Sequence, residues 1–249
     1  MAFIGGKLGY WLLRRSYPEP PAGVCDGAVY NGRSKLEMLL GPAIWERIHD
    51  RVVVDFGCGT GNDAIELARH GAATVIGIDI RENVLALARD TAQRLGVTNA
   101  IFRTTPGEKV DVIVSLDSFE HFADPASVLD TMASMLKPGG CVLASFGPTW
   151  YHPLGGHLFS VFPWAHLVFT ENSLIRWRSD FKSDGATRFR EVAGGLNQMS
   201  IRRFRRLVSV SPLRFASFEA VPIRRVRFLH NRITQEFFSS VIRCTLVLR

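Results

Sequence analysis

Val52-Val53-Val54-Asp55-Phe56-Gly57-Cys58-Gly59-Thr60-Gly61-Asn62-Asp63 contains a strand, a bend and the opening of a helix in one continuous segment. Val52 to Phe56 is a β-branched apolar run of the kind that forms a buried strand. Gly57, Gly59 and Gly61 occupy alternate positions, where the missing Cβ lets the backbone turn sharply and approach a ligand. The helix that follows offers free N–H groups and partial positive charge to that bend. A dinucleotide fingerprint requires G-x-G-x-x-G, and Gly61 falls one position too early for it. The Gly-Lys-Ser/Thr ending of a phosphate-cradling loop is absent as well. Asp55 at the strand tip would repel a pyrophosphate, whereas it suits an ammonium or sulfonium charge.

The same alternation extends on both sides of this segment. Asn62 to His70 reads as a helix stopped by Gly71, and Thr74 to Ile80 as a second strand. Glu82 to Leu95 reads as a helix capped by Gly96. Ala100 to Arg103 and Val110 to Leu116 are the third and fourth strands. Ala126 to Leu136 is a helix ended by Lys137-Pro138-Gly139-Gly140, and Cys141 to Phe146 is the fifth strand. Strands alternating with helices predict an α/β, doubly wound parallel sheet covered on both faces. The regularity stops after Phe146, and residues 147–195 mix aromatics, histidines, prolines and glycines without one period. From Ser200, Ile201, Phe204, Leu207 and Val208 share one helical face and four arginines take the others. Leu213 to Val221 and Phe237 to Leu248 read as closing strands, antiparallel because their connection is too short for a crossover helix.

The chain has 249 residues and a formal net charge of +7. Residues 176–249 hold 16 Lys/Arg against 5 Asp/Glu, while residues 1–175 hold 14 against 18. Such asymmetry is compatible with nucleic acid, an anionic membrane, an acidic substrate or a solvated arginine-rich surface. Cys25, Cys58, Cys141 and Cys244 are scattered without a C-x-x-C pair, so neither a zinc site nor a disulfide framework is expected. A reduced, cytoplasmic setting fits this usage. The short apolar stretch near Tyr10 is followed by Arg14 and Arg15, the wrong order for a secretory signal, and no run approaches a bilayer span. Tyr17 to Gly23, with three prolines, reads as a linker.

Asp55, Gly57, Gly59 and Gly61 form a D-x-G-x-G-x-G arrangement that resembles the first motif of class I S-adenosylmethionine-dependent methyltransferases, in particular the small-molecule, type 11-like group. Asp79, after the second strand, matches the acidic residue that in this family binds both ribose hydroxyls, since a carboxylate accepts two hydrogen bonds from a diol. Val110 to Asp117 resembles the fourth-strand motif, and Leu136 to Gly140 the turn before strand five. The resemblance implies a mostly parallel seven-stranded, Rossmann-like sheet with an antiparallel last strand. It implies S-adenosyl-L-methionine as cofactor, held by Asp55, Gly57, Cys58, Gly59, Gly61, Asp79, Ile80, Leu116 and Asp117. Members often carry an acid after the third strand, near the adenine; here the segment is Arg103-Thr104-Thr105-Pro106-Gly107. Four units follow: 1–49, a helical cap; 50–146, the cofactor-binding core; 147–195, an inserted lid for the acceptor; 196–249, the helix and strands that complete the sheet.

Methyl transfer from a sulfonium needs alignment rather than a metal or a covalent intermediate. His121, in Ser118-Phe119-Glu120-His121-Phe122, is the candidate base, and this Glu-His pair resembles methyltransferases of the ubiquinone-biosynthesis type. Tyr151, His152, His157, Trp164 and His166 are the candidate acceptor pocket, with the alternative that the insertion's aromatics form its own core. His152, His157 and His166 have irregular spacing, so no metal is assigned to them. The expected acceptor is a small hydrophobic or aromatic molecule. Two alternatives stand beside it: a nucleic-acid methyltransferase or binder using the basic C-terminal third, which lacks any recognisable nucleic-acid motif, and a non-enzymatic peripheral membrane protein touching lipid through the basic segment at Ser200 to Val208.

Overall fold

A computed structural model describes residues 2–19, 32–192 and 195–249; Cys25 and the linker beyond Glu19 lie outside the described residues. The strands are β1 (Val52–Phe56), β2 (Thr74–Ile78), β3 (Ala100–Arg103), β4 (Val110–Leu116), β5 (Leu136–Phe146), β6 (Leu213–Pro222) and β7 (Ser239–Leu248). They form one sheet in the order β3-β2-β1-β4-β5-β7-β6. The first five run parallel, and β7 is antiparallel to both β5 and β6. This is the doubly wound sheet with an antiparallel end that the alternation and the resemblance predict.

The helices are α1 (Gly6–Ser16), α2 (Lys35–Leu40), α3 (Ile44–Ile48), α4 (Asn62–Arg69), α5 (Glu82–Arg94), α6 (Pro125–Met135), α7 (Ala165–Val168), α8 (Glu171–Arg178), α9 (Ile201–Val210) and α10 (Gln235–Phe238). Two starts show how local chemistry places them. The Asp124 side chain accepts from the Ala126 and Ser127 N–H groups with Pro125 in the first turn of α6. The Ser200 hydroxyl accepts from Arg203 N–H at the start of α9.

Alternate side chains of the parallel strands feed two cores. Val54, Ile76 and Ile113 face Leu129 and Met132 of α6 and Phe204 and Val208 of α9. Val53, Val75 and Val112 face Leu67 of α4 and Leu85 of α5, and Leu36 and Ile48 from α2 and α3 join them. A third core lies in the insertion, where Phe159, Leu174, Trp177 and Phe189 bury with Leu13 of α1.

Four details differ from the expected segmentation. Lys137 to Gly140 is a bulge inside β5 rather than a turn before it: Leu136 pairs with Val110, and pairing resumes at Cys141 with Val112. Gly139, at φ 81°, supplies the backbone that the detour needs. β2 stops at Ile78, so Asp79 and Ile80 belong to the loop. Residues 235–238 are helical, and β7 begins at Ser239. The N-terminal helices divide, with α2 and α3 on the sheet core while Leu13 of α1 packs in the insertion and Ile4 bridges Phe169. Among the described residues no helix is long and apolar enough to cross a membrane.

Phe204 is fully buried against the rings of Phe119, Phe146 and Phe215. Phe204→Ala removes a core ring that joins α9 to the segment after β4. It is expected to cost about 3–5 kcal/mol, read as a lowered midpoint in guanidinium unfolding.

Candidate active site

β1, β2 and β4 are parallel neighbours, so the residues at their carboxyl ends gather along one edge, where open α/β sheets bind ligands. Asp55 pairs with Gly77 and Val114 in register and is 2% exposed. The Ala64 backbone at the start of α4 favours the ionised form of this carboxyl, yet its Oδ2 is buried without a hydrogen-bond partner. Burial, reinforced by the Asp63 charge, holds the Asp55 carboxyl well above the usual range, although Lys35 pulls the other way.

The bend beyond β1 is built as the three glycines require. Gly57, Gly59 and Gly61 have φ of 89°, 51° and 81°. The Gly57 and Cys58 N–H groups both donate to the Ile78 carbonyl, at 2.8 and 3.0 Å. A Cβ on Gly57 would lie 2.6 Å from Ser118 Oγ, and one on Gly61 would lie 2.7 Å from both Ala88 Cβ and the Phe102 ring. Gly59 differs: its nearest neighbour would be the Arg81 guanidinium at 3.9 Å, so the middle of the bend is open. The Gly59 N–H donates to Asp79 Oδ2 at 3.0 Å, tying the bend to the loop after β2.

Asp79 is 7% exposed and shares the edge with Asp55. Its Oδ1 accepts from the Arg81 N–H and Nε, and its Oδ2 from Gly59 and from the second arm of the Arg81 guanidinium. Burial would raise this carboxyl, but the Arg81 and Gly59 donors outweigh it and hold it below the usual range. Cys58 is buried between the two acids; burial, then Asp55 and Asp79, push its thiol up, away from nucleophilic use. Ile80 is exposed beside them and Leu116 is buried. After β3, Arg103 pairs with Glu108 at 2.6 Å and Thr104 and Thr105 face solvent.

Lys35 completes this end, and no sequence spacing singles it out. It opens α2, and its ammonium lies 3.3 Å from Asp63 and 3.2 Å from Asp117. Burial alone would lower it, but Asp63 and then Asp117 hold it above the usual lysine range. Asp117 adopts φ 48° at the end of β4, fixed by its N–H on the Ser145 carbonyl at 2.8 Å.

The turn that follows carries the remaining candidate groups. His121 Nδ1 lies 2.7 Å from the Gly195 carbonyl. A carbonyl only accepts, so Nδ1 bears the proton and Nε2 is left as the acceptor. Glu120 is buried; its Oε1 accepts from Gly147 N–H at 3.2 Å while Oε2 has no partner. Burial, with Asp117 adding, pushes this carboxyl up to about 8. Asn197 clamps the turn, donating to the Phe119 and Phe122 carbonyls at 2.6 and 2.8 Å while its N–H binds the Glu120 carbonyl. Asn197 is absent from the residues expected from sequence, and Glu120 figures there only as the partner of His121 in a Glu-His pair.

The insertion residues are brought together only in part. His157 meets His121, ring centroids 5.2 Å apart, with its Nε2 buried and unpartnered. Burial, then neighbouring histidines, lowers His157 to about 3, so it is neutral. His166 has both ring nitrogens engaged inside the fold, Nε2 on the Trp150 carbonyl at 2.6 Å and Nδ1 near Ser160 Oγ. His152 Nδ1 accepts from Leu154 N–H, and burial lowers it to about 4. Trp164 Nε1 donates to the Tyr151 carbonyl, and the Tyr151 ring faces Phe237 at the surface. Phe159 and Phe169 bury in the insertion's core. Two other clefts, lined by Leu143 and Arg243 on a sheet face and by Asp111 and Gly140 at the strands' amino ends, hold none of these groups.

Comparison with known proteins agrees with this architecture. A family model described as a methyltransferase domain matches residues 33–208. The ubiquinone biosynthesis O-methyltransferase of Acinetobacter baumannii (strain ACICU) is 40% identical over 101 residues, 37% of this chain and 42% of that protein. Its counterpart in Dinoroseobacter shibae is 38% identical over 99 residues, 37% of this chain and 40% of that protein. The match thus spans well under half the length of these curated relatives. Among solved structures, a methyltransferase from Clostridium acetobutylicum superposes with a TM-score of 0.57 at 12% identity, covering 90% of this chain and 95% of its own. Magnesium protoporphyrin IX methyltransferase from Synechocystis PCC 6803, with bound S-adenosylmethionine, does so at 0.54 and 18% identity, covering 98% and 92%. Family match and strand order together show that the chain belongs to the methyltransferase-domain family, in its class I, S-adenosylmethionine-dependent form.

Proposed function

We propose that the chain transfers the methyl group of S-adenosyl-L-methionine to a small hydrophobic or aromatic acceptor. The unpartnered, buried Oδ2 of Asp55 carries this reading: a carboxylate oxygen in that position calls for a cationic or N–H donor from a ligand. The open backbone at Gly59 and the second acid, Asp79, on the same edge fit the rest of such a nucleoside. When bound, the cofactor supplies an already activated methyl group on a sulfonium. Asp55 would accept from its ammonium, and Asp79 from its ribose hydroxyls. Asp79 has all four acceptor directions in use, three of them on Arg81, so the half-exposed guanidinium must swing away to admit a diol.

The acceptor would enter from the insertion. His121 Nε2, oriented by the Gly195 carbonyl, is the proposed base for an acceptor hydroxyl or protonated amine. Residues 147–195 would act as a lid over it, with Tyr151, His157 and Trp164 toward the acceptor and the remaining aromatics as the lid's core. The relatives' O-methyltransferase activity in ubiquinone biosynthesis supports a hydroxylated aromatic acceptor.

One surface favours a second, compatible reading. Phe228 and Ile233 are 79% and 88% exposed among Arg224, Arg225, Arg227 and Arg232. Exposed apolar side chains with exposed arginines close to them in sequence suit an anionic bilayer surface, from which a lipid-like acceptor would be drawn.

Calorimetric titration is expected to show S-adenosylmethionine binding and no NAD binding; NAD binding alone would overturn the cofactor assignment. Asp79→Asn should weaken the cofactor by about 1.5–3 kcal/mol, or roughly ten- to hundredfold. Arg81→Ala should bind it at least as tightly as the parent chain, because a competing donor is removed. For the membrane reading, co-sedimentation with phosphatidylglycerol vesicles should fall when Phe228 and Ile233 are changed to Ser together, and should be absent with neutral vesicles.

A further inference from the structure

We propose that Glu120, His121 and His157 form a binding site for one divalent transition-metal ion. One ligand atom from each of the three lies within 4.8 Å of the others. Ligands on a tetrahedral metal at about 2.1 Å stand about 3.4 Å apart, so small side-chain rotations close the set. Two side chains of the set carry atoms that are otherwise unexplained: Glu120 Oε2 and His157 Nε2 are both buried without a hydrogen-bond partner, a costly arrangement for polar groups.

The supports behind the ligands are those a metal site needs. His121 donates Nδ1–H to the Gly195 carbonyl, which fixes its tautomer and leaves Nε2 as the acceptor. Glu120 is anchored through Oε1 by the Gly147 N–H, leaving the other oxygen available. His157 is held in a left-handed conformation, φ 50°, with its N–H on the Leu154 carbonyl. Asn197 locks the turn carrying the first two ligands. The ligands therefore come from two distant segments, buttressed by a third.

Two imidazoles and one carboxylate suit zinc, iron(II), manganese or cobalt, whereas magnesium and calcium prefer oxygen-only sets. Three protein ligands leave coordination positions open, which water or an acceptor oxygen would fill. This set differs from His152, His157 and His166, the trio considered from sequence: His166 is spent on Trp150 and Ser160, and His152 on Leu154. Metal binding departs from the expectation of a metal-free site and gives His121 Nε2 a ligand's role in place of a base's. It rests on the methyl-transfer reading only for its relation to the acceptor, not for the binding itself.

The test is titration of the tag-free, chelator-treated full chain with Co²⁺, followed by calorimetry and by visible absorption. One equivalent is expected, with the absorption bands of nitrogen-ligated cobalt. His157→Ala and Glu120→Gln, the latter isosteric, should each weaken binding by about tenfold or more. Circular dichroism and titration with S-adenosylhomocysteine, both expected unchanged, show that each variant is folded. No bound cobalt, or equal affinity in the parent and both variants, overturns the metal site. Cobalt binding without S-adenosylhomocysteine binding would instead overturn the cofactor assignment and leave the metal site standing.

Discussion

Burying Asp55 at the end of β1 imposes a demand that the surrounding chain only half meets. Its Oδ2 is buried without a hydrogen-bond partner. An isolated buried carboxylate is expensive, and the protein moderates the cost by placing Lys35 within reach of the acidic cluster. Lys35 in turn holds Asp63 and Asp117, which joins α2, α4 and the end of β4 around one ammonium. In the proposed binding mode, a ligand cation would supply the partner that Asp55 Oδ2 lacks. Catalytic folds commonly place unmet polar groups where the ligand will complete them.

Asp79 illustrates the opposite arrangement. Its carboxylate is fully satisfied, and Arg81 provides most of the donors. The pair is partly solvent-exposed, so its net contribution to stability is small and exchange for a ligand's hydroxyls costs little. In the proposed binding mode the two acids on one edge would behave differently: Asp55 would gain a partner, and Asp79 would give one up.

The contiguous features are legible from sequence. The glycine bend, Asp55 and Asp79 lie within a few residues of strand ends, and alternation of apolar runs with helical spacing places those strands side by side. Lys35 and Asn197 are not legible, because each acts on groups far along the chain and neither has local spacing that marks it. The bulge in β5 escapes for a related reason: Lys137-Pro138-Gly139-Gly140 stops a helix equally well whether the strand begins before or after it. In the insertion, histidine and aromatic content alone cannot separate His157, which meets His121, from His166, which is consumed by the Trp150 carbonyl. Only the fold decides which ring nitrogen is left over.

The cleft is divided between two chemistries, and the short segment from Asp117 to Phe122 belongs to both. Asp117 faces Lys35 on the acidic side, while Glu120 and His121 face His157 on the other. Ser118 packs so tightly against Gly57 that no side chain fits between them. Asn197 pins the far end of the same turn to the segment before α9. In an in-line displacement the reacting groups must be aligned to within a fraction of an ångström, and positioning of this kind supplies much of the rate. In the proposed reaction, a turn anchored to the glycine bend at one end and to Asn197 at the other would set that alignment. The proposed acceptor side therefore cannot shift without moving the cofactor side with it.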